Sequence, residues 1–223
     1  MSTALEQTSA DPCTAFIQAN CQQVPVPLVP EITLALAHEA LPLWQKTEDE
    51  LGELGLPPPF WAFAWAGGQA LARYVLDHPQ CVLNQRVIDL ASGSGLVAIA
   101  AKLAGAAHVL ACDIDPYAKA AARLNARAMN ASIEITRTDL LADPPPIADV
   151  ILAGDIFYDR PLAEKALCWL KLAQAQGTNI LIGDPGRSYL PRDQLKQLLD
   201  YSVPVTRELE DAEIKHTTVW QLI

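Results

Sequence analysis

The chain has 223 residues and a mass of 24.1 kDa, and 51% of its residues are hydrophobic, which suits one domain with a sizeable core and excludes a wholly disordered protein. Its 16 basic and 26 acidic residues give a formal net charge of −10, which argues against a general nucleic-acid binder. The five scattered cysteines, the absence of a basic leader before Lys46 and the absence of a long uncharged apolar stretch indicate a cytoplasmic protein with reduced thiols and no membrane span.

The first 59 residues are predicted to form an N-terminal appendage to a main domain at residues 60–223. Residues 1–23 are polar and aperiodic, which indicates a frayed terminus or a short helix. The prolines of VPVPLVP favour an extended segment, and the alternation in EITLALA predicts a strand. EDELGELG suggests a short helix or turn, and the three prolines at 57–59 mark the boundary.

The main domain is predicted to alternate strands with helices. After an aromatic segment and an amphipathic helix in FWAFAWAGGQALARYVLDH, strands are predicted in QRVIDLA, HVLACD, SIEITR, ADVILAGD and NILIGD. Helices are predicted at 94–104, 115–130, 161–176 and in PRDQLKQLLDY. With a final hairpin of VPVTRELE and KHTTVWQLI, this pattern predicts an α/β fold with a doubly wound, Rossmann-like, seven-stranded sheet, mostly parallel with an antiparallel C-terminal hairpin.

The segment VIDLASGSGL places two glycines between a predicted strand and a predicted helix. Gly93 and Gly95 allow a tight turn and let a ligand approach the N–H groups at the start of the helix. Asp113 ends the next predicted strand, 18 residues after Gly95, where a carboxylate can accept hydrogen bonds from ribose hydroxyls. These residues predict a nucleoside-binding crevice at the carboxyl ends of the strands.

The identity of the nucleoside depends on Asp89. Residues 93–98 also satisfy the loose G-x-G-x-x-G/A fingerprint of dinucleotide-binding proteins, which is weak on its own. Asp89 argues against a dinucleotide, because a carboxylate four residues before Gly93 would repel a pyrophosphate. It would suit a cationic group such as the amino group of S-adenosylmethionine. The alternative is that Asp89 and Asp113 only cap the ends of their strands.

These segments resemble the class I S-adenosylmethionine-dependent methyltransferases over residues 60–223. VIDLASGSG, which contains Ser92, looks like their first motif, although many members have Gly or Cys at that position. ACDID, with Ile114, resembles their ribose-binding strand end, and TDLL, with Leu140, their adenine-contacting segment. The resemblance implies S-adenosylmethionine as the cofactor and places Asp139 near its adenine amino group.

In this class the methyl acceptor binds beyond the fourth strand, where DIFYD supplies Asp155, Phe157 and Tyr158. An acidic group beside two aromatic rings can hold a cation. Lysine is the obvious candidate, because a desolvated slot favours the proton loss that its ammonium needs before it can attack. Alternatively, the two rings belong to the core and Asp155 caps a helix.

Three further segments resemble the bacterial electron-transfer flavoprotein β-subunit lysine methyltransferases, namely PPPFWAFAWAGGQALARYVLDHP, DIFYD and IGDPGRSYLP. VPEITLALAHEALPLWQ extends this resemblance to about residue 25. It implies a lysine substrate on the flavoprotein or on a ribosomal stalk protein, with Asp155 and Tyr158 at the acceptor site. It also places Trp65 and Gly67 along the cofactor, although Trp65 equally suits core packing. We expect Arg187 to be solvated or to pair with an acidic group of the substrate.

Three functions are therefore considered. The first is a protein-lysine methyltransferase, and the second is a methyltransferase for a ribosomal protein or a small-molecule amine. The third is an NAD-binding oxidoreductase or a non-catalytic nucleotide-binding module. A metal site is not expected, because the four histidines are isolated and no Cys/His pair has ligand spacing.

Overall fold

The computed structural model describes residues 11–37, 58–205 and 213–223. EDELGELG and the charged turn expected between the last two strands lie outside these residues. The first elements are a helix α1 (Pro12–Asn20) and two antiparallel strands, β1 (Cys21–Val26) and β2 (Val29–Ala37). The strand predicted in EITLALA is therefore confirmed, and α1 shows that residues 12–20 are helical. The domain boundary at residue 59 stays a prediction.

The main sheet has seven strands, which lie in the order β5-β4-β3-β6-β7-β9-β8. Their bounds are β3 (Arg86–Leu90), β4 (His108–Cys112), β5 (Glu134–Thr136), β6 (Val150–Gly154), β7 (Asn179–Asp184), β8 (Leu195–Pro204) and β9 (Ile214–Leu222). Strands β3 to β7 are parallel, whereas β9 runs antiparallel to both β7 and β8. The predicted fold class is confirmed.

Within the described residues, four helices cover this sheet, namely α2 (Ala66–Asp77), α3 (Leu96–Leu103), α4 (Pro116–Ala128) and α5 (Arg160–Ala175). Successive strand residues point to opposite faces, and in β6 Leu152 packs in the cluster that includes Leu71 of α2, whereas Ile151 packs in the cluster that includes Leu170 of α5. Both faces are therefore buried, as in a doubly wound sheet. No helix of the described residues is long and apolar enough to span a membrane.

The helix predicted in PRDQLKQLLDY is wrong. These residues form a short 3-10 helix (Arg192–Gln194) followed by the edge strand β8. The leucines at 195, 198 and 199 have helical spacing, but a register shift between Gln197 and Leu199 interrupts the strand and breaks its alternation. Nine residue pairs with β9 stabilise the strand, so tertiary pairing overrides the local preference for helix.

The strand order reverses at β3, because β4 lies on one side of it and β6 on the other. In open α/β sheets, ligands bind in the crevice outside the carboxyl ends of the strands at such a reversal. Asp89, Asp113 and Asp155 all lie at this edge, near or just after the ends of β3, β4 and β6.

Candidate active site

A cavity of about 430 Å³ opens at the carboxyl ends of β3, β4 and β6. Its lining includes eight of the residues that the sequence predicts for the site: Trp65, Gly93, Asp113, Ile114, Asp139, Leu140, Asp155 and Tyr158. Five other predicted residues are not part of its lining: Gly67, Asp89, Ser92, Gly95 and Phe157. The structure therefore brings the predicted cofactor-binding and acceptor-binding residues to one cavity. Eight of them line it, and the other five lie outside the lining.

The glycine loop has a backbone that only its glycines adopt easily. Gly93 and Gly95 have φ angles of +50° and +83°, in the left-handed region. A Cβ atom on Gly95 would also lie 3.0 Å from the Cβ atom of Ala122, so the loop sits directly on α4. The backbone N–H of Gly93 donates to Asp113 over 2.9 Å, which fixes the loop against the end of β4.

Asp113 lies at the junction of this loop and α4. One carboxylate oxygen accepts from the N–H of Gly93, and the other accepts from the N–H of Asp115 over 3.0 Å. Burial raises the pKa of Asp113, although these N–H donors counteract the shift. A carboxylate has about four lone-pair sites, so Asp113 keeps acceptor capacity that can reach hydroxyl groups in the cavity.

Asp89 lies beneath the glycine loop rather than in the cavity. It is 1% exposed, and its carboxylate accepts a hydrogen bond from the N–H of Ala98, in the first turn of α3. Burial, together with the negative charge of Asp113, raises the pKa of Asp89 to about 8. Burial therefore favours the neutral carboxyl group over the carboxylate at this position, an effect that the sequence does not reveal.

Asp139 closes the side of the cavity next to β5. It accepts a hydrogen bond from the N–H of Leu141, which caps the short 3-10 helix Leu140–Ala142. Its other oxygen lies 2.9 Å from Nζ of Lys165, and both side chains are nearly half exposed. Such an exposed ion pair contributes little stability, so Asp139 can exchange partners with a ligand at small cost.

At the opposite end of the cavity, Asp155 follows β6 with a φ angle of +57°. One oxygen of its carboxylate accepts the N–H of Gly68 over 2.8 Å, within the first turn of α2. The other accepts from Nε and Nη2 of Arg187, at 3.1 and 2.7 Å. Burial raises the pKa of Asp155 to about 6, while the positive charge of Arg187 opposes this shift.

Arg187 is mostly buried and pairs with Asp155 of this chain, whereas the sequence favoured a solvated loop arginine. Its side chain is 19% exposed, and its guanidinium lies over the ring of Trp65 at 5.6 Å. The loop that carries it is held by Asp184, which accepts the N–H groups of Gly186 and Arg187 at 2.7 Å each. Arg187 and Asp155 are 32 residues apart, and local sequence carries no signal for their pairing.

Aromatic rings form the mouth of the cavity. Tyr158 is 46% exposed and lies 5.4 Å from Phe60, whose ring also meets Trp65 at 6.0 Å. The indole N–H of Trp65 donates to the carbonyl of Phe60 over 2.8 Å, which joins these two residues. The ring of Phe157 is completely buried, so it does not reach the cavity with Tyr158. Phe60 was not predicted, although it lies in the same aromatic segment as Trp65.

Gly67 sets how closely α2 approaches this site. A Cβ atom there would lie 2.2 Å from the carbonyl oxygen of Gly183 and 2.6 Å from a carboxylate oxygen of Asp155. Only a residue without a side chain allows this contact. Gly67 therefore packs against Asp155 and Gly183 and is not part of the cavity lining.

Comparison with known proteins identifies the family. Over 221 residues the chain is 38% identical to the electron transfer flavoprotein beta subunit lysine methyltransferase of Xenopus laevis, covering 96% of this chain and 89% of that protein. The enzyme of the same name from Mus musculus is 40% identical over 203 residues, 86% of this chain and 77% of the relative. The chain belongs to this family.

The methyltransferase family model "Ribosomal protein L11 methyltransferase (PrmA)" also matches, over residues 70–181. As a member of this family, the chain is a methyltransferase. Solved structures agree on the fold. They include Thermoplasma acidophilum 1320, with a TM-score of 0.54, 19% identity and coverage of 69% of this chain and 88% of that one. Another is magnesium protoporphyrin IX methyltransferase from Synechocystis PCC 6803 with bound S-adenosylmethionine, with a TM-score of 0.51, 16% identity and coverage of 70% and 79%.

Several residues of the cavity wall were missed by sequence reasoning. Cys112 precedes Asp113 and Asp115 follows Ile114 within ACDID, and Leu141 follows Leu140 within TDLL, so taking every residue of these two segments would have found them. Ile156 lies between Asp155 and Phe157 and could have been found in the same way. Among the described residues, no cluster of His, Cys, Asp and Glu could hold a metal ion.

Proposed function

We propose that this enzyme transfers methyl groups from S-adenosylmethionine to lysine side chains of the electron transfer flavoprotein β subunit. The observation that carries the proposal is the 38% identity to an enzyme of that name, which extends over 96% of this chain and 89% of the relative. Such coverage includes the residues that line both ends of the cavity, at the carboxyl ends of the strands where ligands of open α/β sheets bind.

The cavity suits the proposed cofactor. Its volume of about 430 Å³ lies within the range of about 300–1,000 Å³ that is common for small-molecule sites. Asp113 would accept hydrogen bonds from the ribose hydroxyls, and the glycine loop would let the ligand lie against its backbone. The hydroxyl of Ser92, in the same loop but outside the cavity lining, is buried without a hydrogen-bond partner. Asp89 would support the loop from below.

The adenine would lie between β4 and β5. Asp139, which caps its own helix through one oxygen, would receive the exocyclic amino group in place of Lys165. Ile114 and Leu140 line this part of the cavity and would pack against the ring faces. Trp65, at the far side, would face the methionine end of the cofactor.

When bound, the cofactor supplies a methyl group on a sulfonium, which a neutral amine can attack directly. The residues near Asp155 then have to remove a lysine ammonium from water, which favours proton loss. Three N–H groups already donate to the Asp155 carboxylate, which leaves about one of its four lone-pair sites free. Asp155 would use this site to orient the amine, with Tyr158 and Phe60 on either side of the lysine stem.

A ribosomal protein is a second candidate substrate, favoured by the PrmA family model over residues 70–181. The ribosomal protein L11 methyltransferase of Symbiobacterium thermophilum is 36% identical over 118 residues, but these cover only 39% of that protein. The flavoprotein is preferred because its methyltransferases match nearly the whole chain.

All five cysteines carry free thiols, which supports a location in the reducing cytoplasm.

The test is methyl transfer from isotopically labelled S-adenosylmethionine to purified electron transfer flavoprotein, with mass spectrometry of the labelled peptides. We expect the label on lysine residues of the β subunit. Equimolar ribosomal stalk protein in a parallel reaction measures the second candidate. Label on neither protein, while the enzyme binds the cofactor, would contradict the proposal.

A further inference from the structure

The hairpin of β1 and β2 is attached to the cofactor end of the molecule by two buried side-chain amides. The first is Asn125, in α4, which is 0% exposed. Its Oδ1 atom accepts the backbone N–H of Ala35 in β2 over 2.7 Å, and its Nδ2 atom donates to the carbonyl of Ser94 over 2.9 Å. A single amide therefore links the hairpin to the centre of the glycine loop.

The second amide is Gln69, in α2, which is 1% exposed. Its Oε1 atom accepts the N–H of Leu28, in the turn of the hairpin, over 3.1 Å. Its Nε2 atom donates to the carbonyl of Ala64 over 2.7 Å. Ala64 immediately precedes Trp65, which lines the cavity. Each amide thus links the hairpin to the neighbour of a cavity-lining residue, Ser94 beside Gly93 and Ala64 beside Trp65.

The glycine loop depends on such a contact more than a regular element would. Ser94 lies between Gly93 and Gly95, whose left-handed backbones allow many conformations in the absence of restraints. The loop is held from one side by the hydrogen bond from Gly93 to Asp113. The amide of Asn125 holds it from the other side, at the carbonyl of Ser94.

Apolar packing also connects the hairpin with the segment before α2 and with α4. Ala35 of the hairpin, Trp61 of the segment before α2 and Ala121 of α4 share one buried cluster. Trp61 stacks on Tyr117 with 5.9 Å between ring centroids, and a Cβ atom on Gly93 would lie 3.7 Å from the Cα atom of Trp61. Movement of the hairpin would therefore be transmitted to the loop and to the wall that carries Trp65.

We propose that the hairpin is a positioning element for the methyl-donor site, and that Asn125 and Gln69 are the positioning residues through which it acts. They touch neither the cofactor nor the acceptor. They hold the glycine loop and the segment before α2 in the geometry that binds S-adenosylmethionine. The inference rests on the proposed placement of the cofactor in this cavity.

The test compares Asn125→Leu and Gln69→Leu with a matched control, Met129→Leu. The N–H of Thr33 in β2 donates to Sδ of Met129 over 3.4 Å, so the control also removes a contact between the hairpin and a residue at the end of α4, but one that does not reach the loop. We expect each amide variant to raise the Kd for S-adenosylmethionine by at least about tenfold in calorimetry. The control should stay within about twofold, and kcat at saturating cofactor should be retained in all three variants.

Hydrogen exchange separates positioning from a general loss of stability. In Asn125→Leu, backbone amides of residues 91–96 should exchange faster, while those in the centre of β6 keep the wild-type rate. If Asn125→Leu does not fold, Asn125→Asp retains the acceptor for Ala35 but places a carboxylate oxygen against the carbonyl of Ser94, which it repels, and the same weaker binding is expected.

Unchanged cofactor affinity in folded amide variants would overturn the inference, and so would equal weakening by Met129→Leu. Absence of cofactor binding by the wild-type enzyme would instead contradict the proposed function. The two failures are therefore distinguishable in one titration series.

Discussion

The ion pair between Arg187 and Asp155 gives the sharpest prediction about catalysis. The two side chains are 19% and 11% exposed, and both N–H donors of Arg187 reach the same carboxylate oxygen. Arg187 is the positive charge that lowers the pKa of Asp155, and Arg187→Ala removes it. The N–H of Gly68 still donates to the carboxylate in this variant. The nearby negative charge of Asp184 then raises the pKa further.

The expected magnitude follows from the geometry. Two unit charges at about 4 Å interact by about 4 kcal/mol at an effective dielectric constant of 20, which corresponds to about three pK units. If the loss of Arg187 shifts the pKa of Asp155 by only about two of these three pK units, the pKa rises from about 6 to about 8. The ionised fraction at pH 7 falls from about nine-tenths to about one-tenth, so kcat/KM should fall by about tenfold if the carboxylate is the active form.

The sign for stability follows from the same shift. Burial raises the pKa of Asp155 from 3.8 to about 6 in the native state. The native state therefore loses stability as pH rises from about 4 to about 6, because the unfolded chain ionises first. In Arg187→Ala, where the pKa of Asp155 is expected near 8, this loss of stability continues up to about pH 8. The variant should therefore be destabilised most at alkaline pH, by no more than the about 3–5 kcal/mol typical for a buried charge that loses its partner.

The assay is methyl transfer to the flavoprotein β subunit between pH 5 and 9. Wild-type kcat/KM should rise with an acid limb near pH 6, and Arg187→Ala should move this limb upward by about two pH units. Arg187→Lys should lie between the two. Arg160→Ala, which removes only an exposed pair with Glu164, is the control and should match the wild type. An acid limb in Arg187→Ala that coincides with the wild-type limb would refute this reasoning.

Three further predictions concern the cofactor end and the packing of α2. Asp113→Ala should raise the Kd for S-adenosylmethionine by at least about tenfold, and unchanged affinity in calorimetry would exclude a ribose contact. Asp89→Asn should gain stability relative to the wild type as pH rises from about 5 to 8, by about 1.4 kcal/mol per pH unit, because the raised pKa of Asp89 makes ionisation unfavourable in the native state. A difference in urea midpoints that is independent of pH would show that Asp89 is already charged. Gly67→Ala should lose about 1–3 kcal/mol because its Cβ atom would overlap the carbonyl of Gly183. Gly68→Ala, whose Cβ atom would have its nearest neighbour at 4.0 Å, should be neutral or stabilising in the same denaturation experiment.

Much of the fold follows from local patterns. The strands β3 to β7 and the helices between them were predicted because apolar periodicity and capping residues mark each element, as Asp115 does by accepting the N–H of Tyr117 at the start of α4. The strand β8 was missed because its leucines have helical spacing, and only pairing with β9 makes the extended form favourable.

The site was predictable where its residues adjoin a motif. Gly93, Asp113 and Tyr158 reach the cavity from the segments in which the sequence placed them. The ion pair of Asp155 and the bridge through Asn125 join residues that are 32 and 31 positions apart, and such polar contacts leave no periodic trace in the sequence. Burial, which raises the pKa of Asp89, is likewise a property of the assembled fold.

The most direct test of the central claim is a crystal structure of the enzyme with S-adenosylhomocysteine. The account predicts that the ligand fills the cavity beside Gly93, with its ribose hydroxyls within hydrogen-bond distance of the Asp113 carboxylate and its sulfur turned toward Asp155. A ligand bound elsewhere, or bound in this cavity with its ribose away from Asp113, would contradict it.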